Sequence, residues 1–251
     1  MNLPDHVRDN KASWEVEAAN YVEPARRDWG SDEIRWGIFR VPEAEVGALP
    51  DVDGMDVVEL GCGTAYFSAW LARRGARPTG VDITENQLAT ARAMQTEHAL
   101  EFPLIQASAE DVPLPDDCAD LVLSEYGASL WCEPAAWTAE AARLLRPGGR
   151  LVFLTHSVLV PLTAPPSGPN GDRLLRGQRE IARLRFEGDD AVEFHLSPGD
   201  WVALLHDHGF TLTGLHELYA PDDAEPTRYD YMPVEWARRW PVEYIWTARL
   251  D

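Results

Sequence analysis

Val57-Val58-Glu59-Leu60-Gly61-Cys62-Gly63-Thr64 is a short apolar run that stops at two glycines and gives way to a helical pattern, Ala65 to Arg74, closed by Gly75. A buried strand that turns sharply into a helix needs residues without side-chain bulk at the turn, and glycine also lets a ligand approach the backbone. The start of the helix beyond offers unpaired N–H groups and a potential that favours a carboxylate. Alone, a Gly-x-Gly pair also fits a tight turn with no ligand. Asp82 sharpens it: about twenty residues on, at the end of the next strand, is where a carboxylate meets ribose hydroxyls. Tyr66 stands where a dinucleotide fingerprint needs its third small residue, which counts against a pyrophosphate cofactor.

Working outward, the rhythm repeats. Strands are expected at Asp56–Leu60, Arg77–Ile83, Phe102–Ala107, Asp120–Ser124 and Arg150–Thr155. Between them lie helical stretches at Glu85 to about His98, with Thr84 and Gln87 suggesting a capping box, and at Pro134–Leu145. Strands alternating with helices predict an α/β fold, a mostly parallel sheet covered on both faces. Before residue 55 the chain is polar with aromatic punctuation (Trp14, Tyr21, Trp29, Trp36, Phe39), and Ala12–Val22 reads as a helix. After the fifth strand, Pro161, Pro165, Pro166 and Pro169 with Gly168 and Gly171 exclude a continuous helix or central strand. A basic helix is expected over Asp172–Phe186, then a helix at Trp201–His208 and two last strands, Phe210–Tyr219 and Val242–Leu250.

Acidic residues number 42 against 22 basic ones, a formal charge of -20. That sign repels phosphate backbones, so no nucleic-acid or anionic membrane partner is expected. Three cysteines without a CxxC pair suit a reducing, cytoplasmic setting rather than a disulfide framework. The first thirty residues lack an apolar run, so no signal peptide is expected. His and Cys show no metal-ligand spacing, and no metal is expected. The arginines at 173, 176, 179, 183 and 185 form the one basic cluster, read mainly as a solvated face.

Four stretches in order, Val57–Thr64, Gly80–Thr84, Ala107–Pro113 and Leu145–Leu151, resemble the successive motifs of class I S-adenosylmethionine-dependent methyltransferases, in particular the small-molecule branch that includes ubiquinone and menaquinone C-methyltransferases. The resemblance covers about residues 55 to 156. It implies a Rossmann-like, doubly wound, seven-stranded and mostly parallel sheet with an antiparallel C-terminal hairpin. Residues 1–54 would be an N-terminal cap, 55–251 the S-adenosylmethionine-binding domain, and 157–196 an insertion over the acceptor.

By that resemblance Glu59 would face the methionine amino group, and Gly61, Cys62 and Gly63 would run beneath the methionine and ribose. Asp82 would hold the ribose hydroxyls, Ile83 would pack on the adenine, and Ser108, Ala109 and Glu110 would frame its edge. Ser108 departs from the family's habit of an Asp there. Ser124, Glu125 and Tyr126 leave the fourth strand at the ligand-bearing edge of the sheet, and Tyr21, then Trp36, are the cap aromatics expected on the cofactor. Methyl transfer asks the protein for alignment, desolvation and sometimes removal of a proton. His156, directly after the fifth strand, is the first candidate base, with His195 and Tyr126 beside it. The resemblance implies a small-molecule acceptor methylated on O, N or C. A nicotinamide-dependent oxidoreductase and a non-catalytic cofactor-binding module are the rival readings; the oligomeric state is open.

Overall fold

The computed structural model describes residues 3–251. Seven strands make the main sheet: β1 (Asp56–Leu60), β2 (Arg77–Asp82), β3 (Leu104–Gln106), β4 (Ala119–Glu125), β5 (Leu145–His156), β6 (Phe210–Leu218) and β7 (Glu243–Leu250). Their order across the sheet is β3-β2-β1-β4-β5-β7-β6. The first five are parallel, and β7 inserts antiparallel between β5 and β6. Chain order reverses between β1 and β4, and that crevice at the carboxyl ends of the strands is where such sheets hold ligands. The central strands are apolar at consecutive positions because both faces are covered: Val57, Val58, Leu60, Leu121, Val122 and Leu123 are all buried.

Helices α1 (Asp5–Glu17) and α2 (Val22–Trp29) precede the sheet; α3 (Tyr66–Ala72), α4 (Glu85–His98), α5 (Pro134–Leu144) and α6 (Pro198–Asp207) follow in turn. Each of the last two starts as its sequence suggests. Pro134 and Pro198 occupy the first turn, and the side chains of Glu133 and Ser197 accept from the N–H groups of Ala136 and Asp200. Under α6, Trp201 packs on Phe153 with ring centroids 4.8 Å apart, and Trp137 meets Phe153 at 5.2 Å. Such pairs add about 0.5–1.5 kcal/mol each beyond the area they bury. Trp29 fixes the N-terminal segment to the body: it is fully buried and its indole N–H donates to the Thr64 carbonyl at 2.8 Å.

The Arg-Pro-Gly-Gly turn bulges out within β5, and Arg146 pairs with Asp56 at 2.9 Å and Asp120 at 2.7 Å. That motif therefore braces the amino ends of the strands, away from the crevice.

Three local expectations are corrected. Residues 172–186 form no α-helix; one short 3-10 turn, Gln178–Glu180, is present. The arginines are drawn to separate partners instead. Arg176 donates to the Pro161 and Ala164 carbonyls, Arg183 lies over Phe194, and Arg185 pairs with Asp9 at 2.7 Å. The Thr84–Gln87 capping box is not made: the Thr84 N–H donates to Asp82 Oδ1, and Glu15 of α1 accepts from Glu85 and Asn86 N–H at 3.0 and 3.1 Å. The helix read over 12–22 is α1, a 3-10 turn and then α2.

Candidate active site

The glycine loop is held backbone against backbone. Gly61 and Cys62 N–H both donate to the Val81 carbonyl, at 2.8 and 2.9 Å. Gly61 has φ +70°, and a Cβ there would lie 2.5 Å from the Cα of Gly127. Only glycine fits where these two turns cross. Asp82 ties the loop to β2: its Oδ2 accepts from Gly63 N–H and its Oδ1 from Thr84 N–H, each at 2.8 Å. Each carboxylate oxygen keeps a further lone pair for a ligand. Burial raises the Asp82 carboxyl, and the Thr84 and Gly63 N–H groups oppose that rise. Glu59 gives Oε2 to the N–H and hydroxyl of Ser68, at 2.9 and 2.5 Å; burial pushes its pKa up to about 8.

These groups line one cavity of about 1290 Å³. Small-molecule sites are typically roughly 300–1,000 Å³, so this one has room for a cofactor and an acceptor together. At the glycine end its wall holds Glu59, Gly61, Cys62, Gly63, Asp82, Ile83, Ser108 and Ala109; Tyr21 of the N-terminal segment lines the same cavity. Gln87, beside Gly63, has a buried Oε1 with no partner.

Three expected cofactor contacts lie outside this wall. Trp36 is fully buried, packs on Phe67 at 4.6 Å and donates its indole N–H to Glu43 at 2.5 Å. Its neighbourhood is core; of the two expected aromatics Tyr21 reaches the cavity, where Trp14 and Phe39 also line the wall. Ser124 is buried too, its hydroxyl donating to the Leu60 carbonyl at 2.8 Å. Glu110 turns away from the cavity to His6 (2.7 Å) and the Glu133 N–H (2.8 Å), joining α1 to the start of α5.

The far end is assembled from distant parts of the chain. His156 at the end of β5 stacks on His195, centroids 5.9 Å apart and rings 12° from parallel. Burial lowers the His156 pKa to about 4, so its imidazole is neutral. His195 Nε2 lies 2.7 Å from Glu193 Oε2, and Tyr231 OH is 3.4 Å from His156 Nε2. Burial alone would raise the Glu193 carboxyl; the His195 hydrogen bond and the two imidazoles bring it below the ordinary range. Tyr126 donates to Glu243 Oε1 at 2.6 Å, and burial holds its hydroxyl well above the usual pKa, which makes it a fixed donor rather than a base.

Several of these residues escaped sequence reading: Glu193, Glu243, Arg228, Tyr229 and Tyr231. The last three come from the loop between β6 and β7, where Arg228 lies over the rings of Tyr21 (4.3 Å) and Tyr229 (5.0 Å). The Tyr-Asp-Tyr run at 229–231 was the one available signal, two aromatics in an otherwise acidic loop. Spacing likewise hid a cluster: one donor atom from each of His156, Glu193 and His195 lies within 4.8 Å of the others. HxxxH and CxxC spacing could not reveal this trio, since the fold brings together residues that spacing keeps apart.

The wall suits one nucleotide-like ligand better than another. Tyr66 stands where a dinucleotide fingerprint has its third small residue, its ring against Trp70 at 5.2 Å and its hydroxyl donating to Glu125 at 2.6 Å. S-adenosylmethionine carries two positive centres and a ribose. The carboxylates of Glu59 and Asp82, the bare glycine loop and the orphaned Gln87 oxygen match that donor set.

A methyltransferase domain profile matches residues 58–153. The chain is 36% identical over 108 residues to a fatty-acid O-methyltransferase of Mycolicibacterium smegmatis, covering 42% of this chain and 39% of that one. It is 32% identical over 170 residues to a ubiquinone/menaquinone biosynthesis C-methyltransferase of Bordetella avium, covering 66% and 64%. These matches thus span less than two thirds of either relative. A crystal structure of an S-adenosylmethionine-dependent methyltransferase from Mesorhizobium loti superposes with a TM-score of 0.64 at 26% identity, covering 82% of this chain and 95% of that one. Motif order, strand order and these likenesses give residues 58–153 the sequence pattern of a methyltransferase domain, on a fold shared with a solved S-adenosylmethionine-dependent methyltransferase.

Proposed function

We propose that this protein transfers a methyl group from S-adenosylmethionine to the O, N or C atom of a small organic acceptor. One observation carries the reading: a single cavity joins the Asp82 and glycine-loop wall to a second wall of imidazoles, tyrosines and a carboxylate. When bound, S-adenosylmethionine supplies an electrophilic methyl on sulfur. The chain's own residues do the rest. Asp82 and Glu59 hold and orient the ribose and amino ends, while Cys62, Ile83, Ser108 and Ala109 shape the bed. Segment 157–196 and the cap, residues 3–54, close over the acceptor and limit water.

At the acceptor end, Tyr126 is locked as a donor by Glu243. His156 presents a neutral imidazole that accepts a hydrogen bond, and the Glu193–His195 pair adds proton-accepting capacity beside it. Aromatic walls and the net charge of -20 favour a small organic acceptor over a nucleic acid. Among the described residues no helix is long and apolar enough to cross a membrane, and a cytoplasmic setting remains part of the proposal.

The test is product formation. Isotope-labelled S-adenosylmethionine is incubated with panels of hydroxyl, carboxyl, amine and activated-carbon acceptors, and S-adenosylhomocysteine and labelled product are followed by mass spectrometry. Labelled product in at least one panel is expected. Tight cofactor binding with no transfer in any panel would replace this reading by a non-catalytic binding module.

A further inference from the structure

We propose that His156, Glu193 and His195 form a binding site for one divalent first-row transition ion at the acceptor end of the cavity. One donor atom from each of the three lies within 4.8 Å of the others. Donors around an ion at about 2.1 Å sit roughly 3–4 Å apart, so small side-chain rotations close the set. All three residues line the cavity wall, which leaves the remaining coordination positions open toward an acceptor.

The second observation is independent of that proximity. The Nδ1 atoms of both His156 and His195 are buried with no hydrogen-bond partner. Buried polar atoms are nearly always satisfied, and two adjacent exceptions in one wall require a cause. His195 Nε2 and Glu193 Oε2 already face one another at 2.7 Å, so an ion bound by both would take the place of the proton they share. His156 has Nε2 facing Tyr231 OH at 3.4 Å and Nδ1 free.

The site is also held in place. Leu184 and Glu193 exchange two backbone hydrogen bonds of 2.8 Å, and the Phe194 N–H donates to the Leu130 carbonyl at 2.8 Å. His156 sits in the β5–β7 ladder opposite Glu243. Two imidazoles and one carboxylate suit zinc, iron(II), cobalt(II) or nickel(II) rather than magnesium or calcium, which take all-oxygen shells. The ion's place in catalysis rests on the methyl-transfer reading: it would bind an acceptor oxygen and lower its pKa.

The experiment uses the full chain, stripped with chelator and titrated with Co²⁺. Visible absorption reports inner-sphere coordination, elemental analysis gives the stoichiometry, and S-adenosylmethionine calorimetry is run on the same samples. One Co²⁺ per chain is expected. His156→Ala, His195→Ala and Glu193→Gln should each weaken its binding roughly 10–100-fold, with cofactor affinity retained as proof of folding. His206→Ala and His208→Ala, outside the cavity wall, should leave the spectrum unchanged. No absorption band on the wild-type chain, or a band that survives His156→Ala and His195→Ala, overturns the site. Failure of the wild-type chain to bind S-adenosylmethionine would count against the methyl-transfer reading alone, leaving the Co²⁺ result to decide the metal site.

Discussion

The two ends of the cavity are built in different ways. The glycine end comes from one local unit, β1, its turn and α3, docked on the end of β2, and its tightest contacts are backbone to backbone. The acceptor end is made of side chains: His156 from a strand end, Glu193 and His195 from segment 157–196, Tyr229 and Tyr231 from the loop before β7, and Tyr21 from the cap. A backbone-built site tolerates almost no change in shape. A site of side chains on long loops can be altered residue by residue while the sheet stays intact, which is how one fold serves many acceptors.

The largest expected effect tests the rigid end. Gly61→Ala would place a methyl group 2.5 Å from backbone at Gly127 in a chain with φ +70°. Strain and overpacking together should cost roughly 3 kcal/mol or more, read as a large fall in Tm. A Tm within a degree of wild type would mean that the two turns are not locked. Next, Asp82→Asn should weaken S-adenosylmethionine roughly 10–100-fold in a folded protein, by the loss of charged hydrogen bonds. Unchanged affinity by calorimetry removes Asp82 from the cofactor's site.

Glu125, between the two ends, gives a pH-dependent test. Burial raises its carboxyl from 4.5 to about 7, against the Tyr66 and Gly37 hydrogen bonds, with Asp28 pushing it up and Arg40 pulling it down. The folded chain then holds a proton that the unfolded chain releases. This contribution to stability is full below the unfolded value and is lost as pH rises through about 7. Tm should therefore decline between pH 5 and pH 8, and Glu125→Gln, which still accepts from Tyr66, should flatten that decline by a few degrees. An identical slope in the variant refutes the assignment.

The smallest effect sharpens the contrast from the other side. Arg228 is exposed and no acidic side chain pairs with it among the described residues. Arg228→Ala should leave cofactor affinity within about twofold, below the cost of one good hydrogen bond, and raise the acceptor KM. A large loss of cofactor affinity would erase the division between the two ends.

This contrast also explains what could be read from residues alone. Strand positions, Gly61, Gly63 and Asp82 were legible because strand–turn–helix units write their requirements into contiguous residues: apolar runs, bare turns, an acid at a strand end. The error at Trp36 has a physical origin, since an aromatic near a site packs in the core as readily as on a ligand, and sequence does not tell which way the ring points. Glu110 follows Ser108 and Ala109, which line the cavity, but its own partner His6 lies 104 residues away. The basic helix failed for a related reason, as arginines at helical spacing found carbonyls and aromatic rings on separate loops. Glu193 carried no local signature and Tyr231 only the Tyr-Asp-Tyr run, because their proximity to His156 is a property of the tertiary fold.

The most direct test is calorimetric titration of the purified chain with S-adenosylmethionine, S-adenosylhomocysteine and NADH. The predicted result is micromolar binding of the two sulfur compounds and none of NADH, because Tyr66 stands where a dinucleotide fingerprint needs a small residue. Binding of NADH alone would contradict the account and return the glycine loop to the oxidoreductase reading.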